Sequence, residues 1–116
     1  MIKEATYSPN RDYAVIFNPV EMKMSHWVNC PRLVFTRTQE TILDLSSSSW
    51  HADQVIWRDD SCGVTLLLRR YPGDMPDVRL EVDLIYQIAR LHIVSQIIEV
   101  SCADALKELE KTYRSR

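Results

Sequence analysis

The chain has 116 residues, 46% of them apolar and 26% charged, and a net charge of −2. This length fits one domain, 1–116, that can bury a core without disulfide or metal staples. The near-neutral balance leaves no electrostatic footprint for direct nucleic-acid binding. The most apolar window, Leu84 to Val100, is broken by Gln87, Arg90, His92, Gln96 and Glu99, so no membrane span is expected.

In chain order, M-I-K-E-A-T-Y carries charge where an export signal needs its apolar stretch, which predicts a cytoplasmic protein. Ala5–Tyr7 and the apolar run Tyr13 to Phe17 flank the polar turn S-P-N-R-D. V-E-M-K-M puts Val20, Met22 and Met24 on one face of a strand. R-L-V-F-T, T-I-L-D-L and D-Q-V-I-W-R are short runs rich in branched and aromatic residues, as strands prefer, and R-T-Q-E joins the first two. D-D-S-C-G separates Val55–Trp57 from Val64–Leu68, and Pro72-Gly73 suits the central positions of a type II turn. V-R-L-E-V-D-L is the cleanest alternation: Val78, Leu80, Val82 and Leu84 face one way, Arg79, Glu81 and Asp83 the other. Ile88 to Val100 reads as strand or helix, and its β-branched residues favour strand.

The period then changes. S-C-A-D-A-L-K-E-L-E-K-T-Y-R predicts a helix over about 101–114, with Ser101 as N-cap and an apolar stripe of Ala103, Leu106, Leu109 and Tyr113. The expected fold is α+β, mainly β: a curved antiparallel sheet, or a small sandwich or half-barrel, of about six to eight strands over residues 1–100, with one C-terminal helix. Ile16, Leu66, Leu80, Val82 and Leu106 are the expected core.

Two hairpins look alike. Y-S-P-N-R-D-Y-A-V-I-F matches W-R-D-D-S-C-G-V-T-L-L at an offset of 50 residues. Each is similar to the hairpins of WD-type propeller blades, but two copies cannot close a propeller, and similar turns converge on similar residues.

The chemistry is sparse. Cys30, Cys62 and Cys102 are odd in number and none forms a C-x-x-C pair, so reduced, mostly buried thiols are expected. His26 and Cys30 have H-x-x-x-C spacing without a second pair, so no metal site is expected. Cys102, at a helix start, would act as a nucleophile only with His26, His51 or His92 beside it. No phosphate loop, dinucleotide fingerprint or glycine-flanked serine is present, and no catalytic residue or cofactor is expected.

Charge is uneven. Residues 39–60 carry Glu40, Asp44, Asp53, Asp59 and Asp60 against Arg58 alone, a local net charge of −4, together with Trp50, His51 and Trp57. Carboxylates beside aromatic anchors suit a surface that meets a basic partner. The candidate contact residues are Asp44, Trp50, His51, Asp53, Asp59 and Asp60; Trp50, in a serine-rich stretch, is expected to be exposed and Trp57 buried.

The order of short strands (Y-S-P-N-R-D-Y, V-E-M-K-M, P-R-L-V-F, T-I-L-D-L, V-I-W-R-D-D, L-R-R-Y-P-G, V-R-L-E-V-D-L) resembles small bacterial immunity proteins. These include partners of contact-dependent growth inhibition toxins and of other polymorphic toxins. The resemblance implies a cytoplasmic, non-enzymatic inhibitor that binds one cognate toxin domain, often a nuclease, and blocks its active site or substrate surface. It carries no functional residue across. The alternatives are a phage or secretion-system structural module that self-associates through a free strand edge, and a small enzyme built on Cys102 and a histidine.

Overall fold

The computed structural model describes residues 4–21, 27–46, 48, 50–70, 78–93 and 96–114. The Met22 and Met24 face, His26 and the Pro72-Gly73 turn lie outside them. The chain is mainly β, with nine strands in two antiparallel sheets among the described residues. The first sheet is the meander β1 (Glu4–Tyr7), β2 (Tyr13–Glu21), β3 (Trp27–Phe35) and β4 (Glu40–Asp44). The second is β5 (Trp50–Trp57), β6 (Gly63–Arg70), β7 (Val78–Asp83), β8 (Ile88–Ile93) and β9 (Gln96–Ser101). The window from Ile88 onward is strand, as its β-branched residues favour, and supplies two strands, β8 and β9.

One core lies between the sheets. Val15, Leu33 and Leu43 meet Leu66, Leu80, Leu91 and Trp50, all at most 2% exposed. The alternation of β7 is obeyed in full: Val78, Leu80, Val82 and Leu84 are buried. Ile16 is a correction. It is only half-buried, and its neighbour Val15 faces the core, because Tyr13 to Phe17 is apolar on both faces and alternation alone does not choose between them. Two bulges add core residues. An irregularity between Ala52 and Gln54 lets both Ala52 and Val55 face inward, and one at Leu33/Val34 does the same for Ile42 and Leu43.

The C-terminal helix begins with a 3-10 turn, Cys102–Asp104, and continues as α1 (Ala105–Arg114). Ser101 takes the N-cap position in extended conformation, but its hydroxyl donates to the Asp104 carboxylate at 3.2 Å and caps no backbone group. The buried stripe is Cys102, Ala105 and Leu109; Ala103 is exposed and Leu106 half-buried. The tighter first turn stacks residues three apart and rotates the stripe away from the expected positions.

The two look-alike hairpins share their geometry bond for bond. In the β1–β2 turn, Ser8 N–H donates to Tyr13 O at 2.9 Å, Arg11 N–H to Ser8 O at 2.8 Å and Asp12 N–H to the Asn10 side chain at 3.0 Å. Fifty residues on, Arg58 N–H donates to Gly63 O at 3.0 Å, Ser61 N–H to Arg58 O at 3.0 Å and Cys62 N–H to Asp60 Oδ1 at 2.9 Å. Asn and Asp fill the same position because either side-chain oxygen closes an Asx turn. The β3–β4 and β7–β8 turns form a second pair, each with a left-handed glutamine, Gln39 and Gln87, at its end. The faces that meet in the core are not equivalent under this repeat: Val15 corresponds to Thr65, on the solvent side of the second sheet, whereas the core residue there is Val64. The two units therefore stack head to tail instead of closing about a two-fold axis.

A candidate binding face of four turns

All four of these turns lie at one end of the molecule. Within the first sheet, Thr36 N–H donates to Asp12 O at 2.8 Å, joining the β1–β2 and β3–β4 turns. Within the second, Leu84 N–H donates to Cys62 O at 2.9 Å, joining β5–β6 to β7–β8. Between sheets, Asn10 N–H donates to Ser61 Oγ at 3.0 Å and Trp57 Nε1 to Thr6 Oγ1 at 3.2 Å. Among the described residues, the non-glycine residues with left-handed backbone, Arg11, Gln39, Ser61 and Gln87 (φ of 64°, 62°, 60° and 55°), each sit in one of these turns. Such a conformation costs roughly 1–2 kcal/mol per residue, so it persists only where surrounding bonds impose it. Strain gathered in one place points to a functional surface.

The side chains exposed there fit binding. Ile85 and Tyr86, 60% and 75% exposed, project from the β7–β8 turn. The Asp83 carboxylate fixes that turn by accepting the Ile85 and Tyr86 N–H groups at 3.0 and 3.1 Å. Beside it, a cleft of about 290 Å³ opens between the sheets. Tyr13, Phe35, Glu40 and Ile42 line it from one sheet, and Leu84, Ile85 and Gln87 from the other.

The six acidic-stretch candidates are divided by this geometry. Asp59 and Asp60 sit on the four-turn end, in the β5–β6 turn. Asp60 has local work: one oxygen takes the Cys62 N–H and the other pairs with Arg58 at 2.7 Å. Arg58 in turn lies across Gly63, where a β-carbon would come within 2.5 Å of its Cδ. Asp59 is exposed and enters no hydrogen bond or ion pair among the described residues. Asp44, Trp50, His51 and Asp53 lie at the opposite ends of β4 and β5. From Asp53 to Trp57, the last residue of β5, the strand runs roughly 13 Å at ~3.3 Å per residue before the turn that holds Asp59, so the stretch is not one patch.

Trp50 is the clearest correction. It is fully buried, because it is the first residue of β5 and its inward rung lies opposite Arg70 and continues through Ala52. It cannot anchor a partner. Trp57, expected in the core, is half-buried and bridges the sheets through its indole N–H. His51 ties the sheets at the far end: its Nδ1 accepts the Asn29 N–H at 3.0 Å, which leaves Nε2 toward Asp53 at 3.3 Å. Asp53 also pairs with Arg69 at 3.0 Å. Asp44 accepts the Ser46 N–H at 2.8 Å.

The thiols are free. Cys102 is buried, and burial together with the nearby Asp83 charge pushes its thiol up to about 11. It is therefore protonated at neutral pH, the reverse of an activated nucleophile. Burial pushes Cys30 up as well, and its Sγ donates to Ser48 O at 3.1 Å. Among the described residues, no three His, Cys, Asp or Glu side chains gather as a metal site, and no helix is long and apolar enough to cross a membrane.

Sequence reading missed Ile85, Tyr86 and the cleft. An exposed isoleucine–tyrosine pair inside an apolar window reads as part of a buried strand; only Asp83, a turn-favouring residue just before it, hints at the bend. No protein-family model, curated protein or solved structure matches the chain.

Proposed function

We propose that the chain is an immunity protein: a non-enzymatic inhibitor that binds a cognate toxin domain of the nuclease type and occludes its active or substrate-binding site. The observation that carries this reading is the four-turn end. It combines turns hydrogen-bonded to one another, an exposed isoleucine and tyrosine, and the carboxylates of Glu40 and Asp59 without a basic partner among the described residues. Exposed aromatic side chains on preorganised backbone bind at low entropic cost, and carboxylates around them favour a basic surface. A nuclease must offer such a surface to phosphates. The inhibitor would act in the cytoplasm, where its thiols stay reduced, without a cofactor.

The test is co-expression. The domain encoded by the gene immediately upstream is expressed with and without this chain. Restored growth and a stoichiometric complex on size-exclusion chromatography support the reading. An upstream product that is harmless, or toxic but neither bound nor neutralised, contradicts it.

A second reading has its own observation. Among the described residues the edge strand β9 bonds to β8 alone, and Ile97 within it is 62% exposed. An open edge of this kind supports a module that self-associates by strand pairing. Sedimentation of the purified chain tests it: concentration-dependent growth into larger assemblies supports this second reading, and a monomer at all concentrations contradicts it.

A further inference from the structure

We infer that the cleft at the four-turn end receives a single arginine side chain from the partner; this rests on the reading of the chain as a toxin inhibitor. At about 290 Å³ the cleft stands at the small end of ligand sites, so it suits one side chain better than a cofactor. The cross-strand row Tyr13–Phe35–Glu40 places all three residues on the core-facing side of the first sheet, at its last rung. The rings of Tyr13 and Phe35 stand 5.4 Å apart at 55°. Among the described residues Glu40 is the one charged residue in the lining, and Gln87 lines it from the β7–β8 turn of the other sheet.

A carboxylate in a cleft of mixed polar and apolar lining, beside two aromatic rings, selects a cation that both pairs with a carboxylate and packs on a ring. Guanidinium is planar and weakly hydrated, stacks on aromatic faces and donates two parallel hydrogen bonds to a carboxylate. The lysine ammonium is more strongly hydrated and cannot stack in this way. Leu84, 2% exposed, supplies an apolar floor for the aliphatic stem. Ile85 lines the rim of the cleft, and its neighbour Tyr86, 75% exposed, offers apolar area to the partner that carries the arginine. The rim is held in place: Leu84 N–H bonds to Cys62 O, and Gln87 O accepts the Cys102 N–H, both at 2.9 Å.

Two measurements test this. In the first, the labelled chain is titrated with N-acetyl-arginine amide and with its neutral citrulline counterpart, followed by amide NMR shifts. Saturable shifts at Ile42 and Gln87 are expected, weakened at least about fivefold for citrulline and for Glu40→Gln. No saturable shift, or equal shifts with both probes, overturns the inference. In the second, the upstream-encoded toxin domain is bound to the wild type, to Glu40→Gln and to Tyr86→Ala. Each substitution should weaken the complex by about tenfold or more, as for buried anchors. A toxin complex indifferent to both overturns the arginine site and leaves the inhibitor reading standing. Arginine-specific shifts without any toxin complex do the reverse.

Discussion

The backbone N–H of Asn10 donates to the hydroxyl of Ser61 across 3.0 Å, joining the first turn of one sheet to its counterpart in the other. Ser61 is 5% exposed and holds φ at 60°, so it supplies an acceptor at the cost of backbone strain. Ser61→Ala removes the acceptor and keeps the strain; the expected loss is about 1–2 kcal/mol, read as a lower urea midpoint. Ser61→Gly removes the same acceptor but relieves the left-handed backbone, and should cost less. An unchanged midpoint for Ser61→Ala would mean the two turns are not energetically tied.

Trp50 and Asp59 should separate cleanly. Trp50 is fully buried, so Trp50→Ala should cost about 3–5 kcal/mol through lost burial and the cavity left behind. Asp59 lies in an exposed turn, and Asp59→Lys should change stability by about half a kcal/mol or less. Denaturant melts of both variants check the assignment. A mild Trp50→Ala would return that side chain to the surface. Asp60→Lys is expected to be costlier than Asp59→Lys, because the carboxylate it removes closes the turn and holds Arg58.

Cys102 gives the chain a pH signature. Its thiol stands at about 11 in the fold against an ordinary 9.0, because burial and Asp83 disfavour the thiolate. Between those values the unfolded chain loses the proton and the folded chain keeps it. The contribution of Cys102 to stability is therefore complete below pH 9, falls as pH rises toward 11, and is lost above. Cys102→Ala should flatten that fall relative to wild type in denaturant melts taken across the range. The same thiol should resist iodoacetamide at pH 7–8 under native conditions, where Cys62, in a half-exposed turn, reacts first. Rapid native alkylation of Cys102 would contradict its burial.

What was legible in the sequence follows from where information is local. Val78 to Leu84 could be read because every second residue is apolar and the residues between are charged. The β5–β6 turn could be read because Asp60 closes it within its own four residues. Trp50 could not, since Ser46 to Ser49 before it resemble a loop and the bulge at Asp53 breaks the alternation that would have placed it. The helix stripe slipped because a 3-10 turn precedes α1, a choice made by packing against the sheets and invisible in the periodicity. Convergence of the four turns depends on bonds such as Asn10–Ser61, between residues 51 apart, and on how two sheets stack head to tail. Tyr86 and Glu40 join one surface only after that stacking, so the binding face was hidden although every residue in it was in view.

The central claim is that the four-turn end is the partner face. Amide hydrogen exchange of the chain alone and in complex with the upstream-encoded toxin domain tests it most directly. Protection should rise at residues 8–12, 36–40, 58–62 and 84–87, while 50–53 and β9 exchange as before. Protection confined to the 50–53 end or to the β9 edge, with the four turns unchanged, would contradict the account.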